Sequence, residues 1–178
     1  MLDKRALSLP EKLISRFHTR DPFALARELG ITVMLRHNFQ RQKGAFCIID
    51  RCGFIFINGN LSDELQRLIC AHELGHALLH REIALSGRAL LEFELLNVTD
   101  QCEYEANAFA AALLLDEREL RDHLTAGEDV QAIARAMNVH VDLLLLRLET
   151  LKHQAARPLP RTSSRRFLSA IGDNAGSL

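Results

Sequence analysis

Two histidines and a glutamate within residues 72–76, His-Glu-Leu-Gly-His, have the types and spacing needed for metal-dependent hydrolysis. Histidines four positions apart on a helix lie on one face, roughly 5.4 Å of rise apart, so both imidazoles can bind one cation. Glu73 is rotated by about 100° from His72, which places it better to hold a water molecule beside the ion than to bind the ion. The spacing therefore predicts His72 and His76 as zinc ligands and Glu73 as a general base.

The residues around this motif raise its significance above that of a chance match. A histidine on a helix is more often solvated or simply hydrogen-bonded than a metal ligand. Here, however, apolar residues flank the motif on both sides, including Ile69 and Ala77, and a buried histidine needs a polar partner. Gly75 costs about 1 kcal/mol relative to alanine in a helix interior, which predicts close approach by a metal, a substrate backbone or a neighbouring strand.

A second predicted helix offers the remaining ligand. Glu103, Ala106, Asn107 and Ala110 fall on one helical face. Glu103 can supply the third ligand, Asn107 can orient a ligand histidine from outside the coordination sphere, and the alanines allow close helix packing. Glu105 is the alternative third ligand, although it points about 200° away from Glu103. An ordinary amphipathic helix with both polar residues at its solvent edge is the other interpretation.

Other residues near the motif have less defined roles. His80 follows His76 by one turn and is interpreted as a structural histidine, with a substrate or transition-state donor and an exposed residue as the alternatives. Tyr104, the single tyrosine, and His80 are the candidates for stabilising an oxyanion. The four cysteines include no Cys-x-x-Cys pair and are expected to be free thiols. Cys70 and Cys102 are less favoured candidates for a ligand or redox sensor.

Composition limits the classes of function. The chain has 178 residues, 48% hydrophobic residues and a formal charge of −1, which suits one globular domain or a domain with a small appendage. The balanced charge argues against bulk nucleic-acid binding. No apolar stretch is long enough to cross a bilayer, and no signal-peptide core follows the N-terminus. We therefore expect a cytoplasmic protein with no membrane partner.

Periodicity and turn residues predict the elements that position the motif. Strands are predicted at 31–35, 45–49 and 54–57, the last two as a β-hairpin. Helices are predicted at 10–29, with Pro10 in the first turn, an interruption around Asp21-Pro22 and Gly30 as the stop, at 63–81 with Ser62 as the N-cap, and at 101–115. A further helix or turn is predicted at 116–124, and two helices around a turn at Asn138-Val139-His140 are predicted at 130–137 and 141–152. Residues 82–100 are ambiguous between helix and loop.

These elements predict an α+β fold in which a small sheet packs on the motif helix and on the second ligand-bearing helix. We expect a metallopeptidase domain at 1–124, a helix-turn-helix-like unit at 125–153 and a flexible basic tail at 154–178. The second helix of that unit carries Asp142, Arg147 and Glu149 together with four consecutive leucines. This composition favours a protein-docking or structural role over DNA binding.

The sequence resembles the ImmA/IrrE family of metallo-endopeptidases. The similarity is carried by residues 69–80, ICAHELGHALLH, and 103–115, EYEANAFAAALLL, and extends over about residues 20–151. It implies a zincin-like fold, zinc bound by His72, His76 and Glu103 (with Mn²⁺ as a substitute in vitro), and Glu73 as the general base. The chain departs from the family at Asp116, where proline is usual, and this should affect only how the helix ends.

The resemblance also implies a protein substrate, a helix-turn-helix transcriptional repressor. The leading hypothesis is thus a zinc endopeptidase that cleaves a repressor, acting as an anti-repressor or stress-response regulator. The alternative is a non-catalytic zinc-containing module that sequesters a repressor, although such a module has no use for Glu73. A direct DNA-binding regulator is disfavoured by the acidic second helix at the C-terminal end.

Overall fold

The computed structural model describes residues 4–82 and 101–155, and over these ranges the chain has an α+β fold of three strands and seven helices. The strands are β1 (Ile31–Arg36), β2 (Gly44–Ile49) and β3 (Cys52–Asn58). The helices are α1 (Lys4–Phe17), α2 (Pro22–Glu28), α3 (Asp63–Leu79), α4 (Gln101–Leu114), α5 (Glu117–Thr125), α6 (Val130–Ala136) and α7 (Val141–Ala155). The ambiguous segment 82–100 lies outside the described residues except for Glu82.

The three strands form one sheet in the order β1-β3-β2. The predicted hairpin is confirmed, because β2 and β3 pair antiparallel with Ile49 opposite Cys52. Asp50 and Arg51 both have positive φ, 48° and 68°, which is the backbone of a type I′ turn and suits the twist of the paired strands. β1 joins the other side of β3 in parallel, so β2 is one edge of the described sheet.

The first helical region differs from its prediction in where it begins. α1 starts at Lys4, so Pro10 lies inside the helix rather than in its first turn. Proline there removes one backbone hydrogen bond, but Ala6 and Leu7 are buried in a cluster with alanines of α4, and this burial extends the helix towards the N-terminus. The predicted interruption is confirmed: Asp21 caps α2 by accepting from the Phe23 N–H at 3.1 Å.

One glycine and two capping residues set the limits of the neighbouring helices. Gly30 follows α2 with φ of 71°, the left-handed backbone expected of a stop signal. α3 begins after Ser62, whose Oγ accepts from the Leu65 N–H, as predicted. It ends at Leu79, two residues earlier than predicted, with His80 as its C-cap.

The close approach predicted at Gly75 is made by the backbone of a neighbouring helix, which was not among the partners considered. A Cβ on Gly75 would lie 3.1 Å from Ala106 Cα and 3.2 Å from Ala106 O. The backbones of α3 and α4 therefore meet at this point, and the small residues on both helices permit it.

A turn at residues 58–60 fixes both ends of the connection between β1 and β2. On one side, the Gly59 N–H donates to Arg36 O at 3.0 Å and Asn60 Nδ2 donates to His37 O at 3.0 Å. On the other, Asn58 donates from its backbone N–H to Lys43 O at 2.9 Å and from Nδ2 to Gln42 O at 3.1 Å. Residues 38–41 thus form the tip of a connection whose two ends are held by one turn.

A second compact unit begins at Leu115, and the structure describes it over residues 115–155. Asp116 caps α5 by accepting from the Arg118 N–H at 2.8 Å, so the residue that replaces the family's usual proline starts the next helix. Asn138, with φ of 50°, occupies the turn between α6 and α7. Arg147 is buried on α7 and lies 3.6 Å from Glu117, so it is not displayed on the surface.

The division of the chain falls at Leu114/Leu115, with residues 1–114 as the first compact unit. The predicted boundaries of 1–124, 125–153 and 154–178 remain predictions, and the tail lies outside the described residues apart from the end of α7. None of the helices that the structure describes combines the length and apolar character needed to cross a membrane.

Candidate metal centre

His72, His76 and Glu103 come together between α3 and α4. The His72 and His76 Nε2 atoms are 2.9 Å apart, and each lies 3.2 Å from a different oxygen of the Glu103 carboxylate. Both histidines are buried, and Glu103 is 12% exposed. The facing surfaces of the two helices thus place the three predicted ligands within 4.8 Å of one another.

Hydrogen bonds on the far side of each ring determine which nitrogen faces the cluster. His72 Nδ1 lies 2.9 Å from Asn107 Oδ1, and because a carbonyl oxygen only accepts, Nδ1 must carry the hydrogen. His80 Nε2 lies 3.1 Å from Glu105 Oε2, so His80 donates to that carboxylate. The His80 Nδ1 atom is then free of hydrogen and accepts from His76 Nδ1, 3.2 Å away.

These tautomers leave only electron pairs at the centre of the cluster. In neutral rings with hydrogen on Nδ1, both Nε2 atoms are acceptors, as are both oxygens of the Glu103 carboxylate. Four acceptors at such distances repel one another unless a cation lies among them. The donor set fits a divalent metal: two imidazole nitrogens and a carboxylate are the ligands of catalytic zinc sites that keep one position open.

The contacts with His72 and His76 also determine the pKa of the Glu103 carboxyl group when no metal is bound. Burial alone would raise the pKa of this carboxyl group. In the metal-free protein, hydrogen bonds and positive charge from His72 and His76 in their protonated form, which carries hydrogen on Nε2 as well, outweigh burial and lower the Glu103 pKa to about 2. Glu103 is therefore a carboxylate at neutral pH, which is the form that binds a metal.

Glu73 is buried beside this cluster with one oxygen unpartnered. It is 2% exposed, and its Oε2 atom accepts no hydrogen bond from the part of the chain that the structure describes. Burial, and then the negative charge of Glu103, raise the Glu73 pKa well above 4.5, while the Phe46 backbone N–H, which donates to it, acts in the opposite direction. Such a carboxyl group is typical of a residue that exchanges protons during a reaction.

The strand next to Glu73 is held close by a glycine. A Cβ on Gly44 would clash with Ile69 Cγ2 and lie 3.0 Å from Glu73 Oε1. Gly44 therefore lets β2 lie directly against the α3 face that carries Glu73. Sequence reasoning missed both Gly44 and the Phe46 N–H, because neither has a signal before the strand is docked on the helix.

The other candidate residues, His80, Glu105 and Tyr104, lie in different surroundings. His80 is buried between His76 and Glu105, and its pKa is lowered, chiefly by burial, although the hydrogen bond to Glu105 acts in the opposite direction. Its predicted structural role stays a prediction. Glu105, weighed only as a rival ligand, contacts His80 and not the cluster. Tyr104 is half-buried one residue after Glu103, and its role as an oxyanion or substrate contact stays a prediction.

The thiols of Cys70 and Cys102 are not in the group of ligand atoms that the described residues bring together. Cys70 is buried, and burial, followed by Asp21 and Glu73, strongly raises the pKa of its thiol. A neutral buried thiol is inert. All four cysteines are unbridged, as predicted, and Cys52 is the exposed one.

Comparison with known proteins gives three findings. The family model Peptidase_M78, described as the IrrE N-terminal-like domain, matches residues 26–149. "Uncharacterized immunity region protein 2" of Bacillus phage phi105 is 33% identical over 107 residues, which cover 60% of this chain and 66% of the phage protein. A Mycobacterium tuberculosis transcriptional regulator superposes with a TM-score of 0.63 at 19% identity, covering 89% of this chain and 51% of the regulator. That last likeness concerns the fold alone.

Proposed function

The chain belongs to the Peptidase_M78 family of IrrE N-terminal-like domains, as the ImmA/IrrE resemblance predicted, and on that premise we propose that it is a zinc-dependent endopeptidase. The observation that carries the proposal is the convergence of electron pairs from His72, His76 and Glu103 on one point, with the buried carboxyl group of Glu73 beside it. A purely structural site would not need that carboxyl group.

In this proposal the three residues would hold zinc, with Mn²⁺ as a substitute in vitro. Zinc bound there would supply positive charge that polarises both a water molecule and the carbonyl of the peptide bond to be cleaved. Asn107 and His80 keep the two ligand rings in the tautomers that present Nε2 to the metal.

Glu73 acts as the general base and then as the general acid. Its carboxylate takes one proton from the attacking water as the water oxygen bonds to the carbonyl carbon, and it passes that proton to the nitrogen of the leaving amine as the C–N bond breaks. A pKa raised by burial suits a carboxyl group that must both accept and release a proton. The unpartnered Oε2 atom is available for these contacts.

In this proposal the substrate binds along the edge of β2 that no described strand covers. Asn58 N–H donates to Lys43 O, so along this antiparallel ladder Ala45 and Cys47 also turn their peptide groups towards β3. The peptide groups of Phe46, and of the residues two positions before and after it, point to the opposite side, where the Phe46 N–H donates to Glu73. An extended peptide that pairs with this edge would pass beside Glu73.

We further propose that the substrate is a helix-turn-helix transcriptional repressor. The name of the phage relative places it in an immunity region, and the family that the sequence resembles acts on repressors of this type. The protein is expected to act in the cytoplasm, where a repressor is found. The competing proposal, a module that only sequesters the repressor, shares the same partner but does not use Glu73 as a base.

Cleavage assays with matched variants separate these proposals. The wild-type protein with zinc is mixed with a repressor encoded near its gene, beside Glu73→Gln, which keeps the ligands, and His72→Ala, which removes one. We expect cleavage by wild type only, with the rate of Glu73→Gln lower by about 10²–10⁴-fold and zinc still bound to it. Equal cleavage by wild type and Glu73→Gln would refute the role of Glu73. Repressor release from DNA without cleavage by either protein would favour sequestration.

A further inference from the structure

A buried chain of hydrogen bonds leads away from the candidate metal centre on the His76 side. It runs from His76 Nδ1 to His80 Nδ1 over 3.2 Å and from His80 Nε2 to Glu105 Oε2 over 3.1 Å. Gln101 Nε2 then donates to the other carboxylate oxygen, Oε1, at 2.7 Å. His80 is 8% exposed and Glu105 is 7% exposed, so solvent does not compete strongly for these bonds.

Filling the space between two helices does not explain this chain of hydrogen bonds. Burying a carboxylate and an imidazole loses hydration, and apolar side chains of similar volume are often as stable or more stable in such places. His80 does cap α3, but through its backbone N–H, which donates to His76 O at 2.9 Å. The cap does not require the imidazole. The side-chain bonds therefore need another explanation.

The two ligand histidines differ in what supports them. His72 donates to a neutral amide, Asn107, whereas His76 donates to an imidazole that in turn donates to a carboxylate. A negative charge at the end of such a chain strengthens electron-pair donation by the ring to a metal and fixes its rotation. The His80 ring can accept at Nδ1 only while Nε2 carries the hydrogen, and Glu105 enforces that tautomer.

We propose that His80 and Glu105 are a pair of positioning residues that hold His76 in its metal-binding tautomer and orientation and thereby set the affinity of the site for metal. The inference rests on the proposed metal centre and adds to it the two residues that act through His76. Neither residue binds the metal itself. Glu105, which sequence reasoning considered only as a rival ligand, acts through His80.

Metal affinity of the full-length protein tests the pair without using peptidase activity. The metal-free protein is titrated with Zn²⁺ against a chromophoric chelator, and with Co²⁺ while its visible absorption is recorded. We expect His80→Ala and Glu105→Ala each to weaken Zn²⁺ binding by about 10–100-fold and to alter the Co²⁺ spectrum. The double variant should be no weaker than the weaker single variant, because the two residues act in series.

An exposed pair of the same residue types provides the matched control. His153 and Glu149 lie 3.7 Å apart on α7 and are 75% and 57% exposed. Alanine at either position should leave both metal affinity and the Co²⁺ spectrum unchanged.

A conservative variant keeps the test valid if the alanine variants unfold. In Glu105→Gln the side-chain amide has one acceptor oxygen for two donors, His80 and Gln101, so metal affinity should fall while the shape is kept. Adding Gln101→Ala removes the competing donor, lets the amide oxygen accept from His80 and should restore part of the affinity.

The outcomes distinguish this inference from the function it rests on. Wild-type affinity in His80→Ala, Glu105→Ala and Glu105→Gln, with tight 1:1 binding by wild type, would overturn the positioning pair and leave the metal centre intact. Absence of Zn²⁺ binding by wild type, or full binding by His72→Ala, would overturn the metal centre and the pair with it.

Discussion

Replacing Gly75 with alanine would push apart the two helices that carry the three proposed metal ligands. The added Cβ would lie 3.1 Å from Ala106 Cα, 3.2 Å from Ala106 O and 3.3 Å from Phe109 Cδ1. Ordinary carbon contacts are about 3.5–4.0 Å, so the gap must widen by a few tenths of an ångström. Since two of the three atoms belong to the backbone, α4 must move as a unit.

Two opposing effects determine the stability of this variant. Alanine favours the helix over glycine by about 1 kcal/mol, while overpacking a close contact costs about 1–3 kcal/mol. The net loss in free energy of unfolding is therefore about 0–2 kcal/mol. Function should suffer more, because Glu103 moves with α4 and metal–ligand distances tolerate only about 0.2 Å. We expect metal affinity to fall by about tenfold or more.

Urea unfolding of the metal-free protein measures the change in free energy of unfolding, and Zn²⁺ titration measures the change in metal affinity. Gly75→Ala/Ala106→Gly is the control: glycine at 106 keeps the Cα and O atoms that make the contact, so metal affinity should not recover. A Gly75→Ala protein that is more stable than wild type and binds Zn²⁺ equally well would refute the reasoning, as would recovery in the double variant.

Three further predictions concern the strand, a thiol and a ligand. Gly44→Ala should displace β2 from Glu73 and lower the cleavage rate about tenfold or more with Zn²⁺ affinity kept; an unchanged rate would contradict this close approach. In the folded protein at pH 8, Cys52 should react with iodoacetamide while Cys70, whose buried thiol has a raised pKa, reacts only after unfolding, as mass spectrometry would show. The Glu103 pKa is lowered from 4.5 to about 2, so its contribution to the stability of the metal-free protein is present above pH 4.5 and is lost as the pH falls to 2. The difference in unfolding free energy between wild type and Glu103→Gln should shrink over that range, and a pH-independent difference would contradict the assignment.

Sequence reasoning predicted the elements whose signals are local. The hairpin was predicted from two apolar runs separated by turn residues, and its type I′ turn at Asp50 and Arg51 fits that spacing. Ser62 and Gly30 marked helix ends through their own backbone and side-chain chemistry. The start of α1 was missed because Pro10 is a strong local signal, and its effect is outweighed by packing against α4, nearly 100 residues away along the chain.

The arrangement of side chains around the candidate site was predictable only where helical spacing determines it. The four-residue spacing of His72 and His76 and the face shared by Glu103 and Asn107 follow from helix geometry, and the structure places all four together. The contact between His80 and Glu105 depends on how far α4 slides and rotates against α3. That register is set by backbone contact at Gly75, which no single-helix pattern contains.

The turn at residues 58–60 makes the tip of the β1–β2 connection a practical site for protein engineering. Its bonds to Arg36, His37, Gln42 and Lys43 hold the strand ends independently of residues 38–41, and loop tips tolerate insertions when the anchoring bonds lie outside them. A short peptide tag or a fluorophore attached there would sit at the end of the strand that lines Glu73. It would test in real time whether the proposed substrate binds at this strand, without altering a proposed metal ligand or the carboxylate of Glu73.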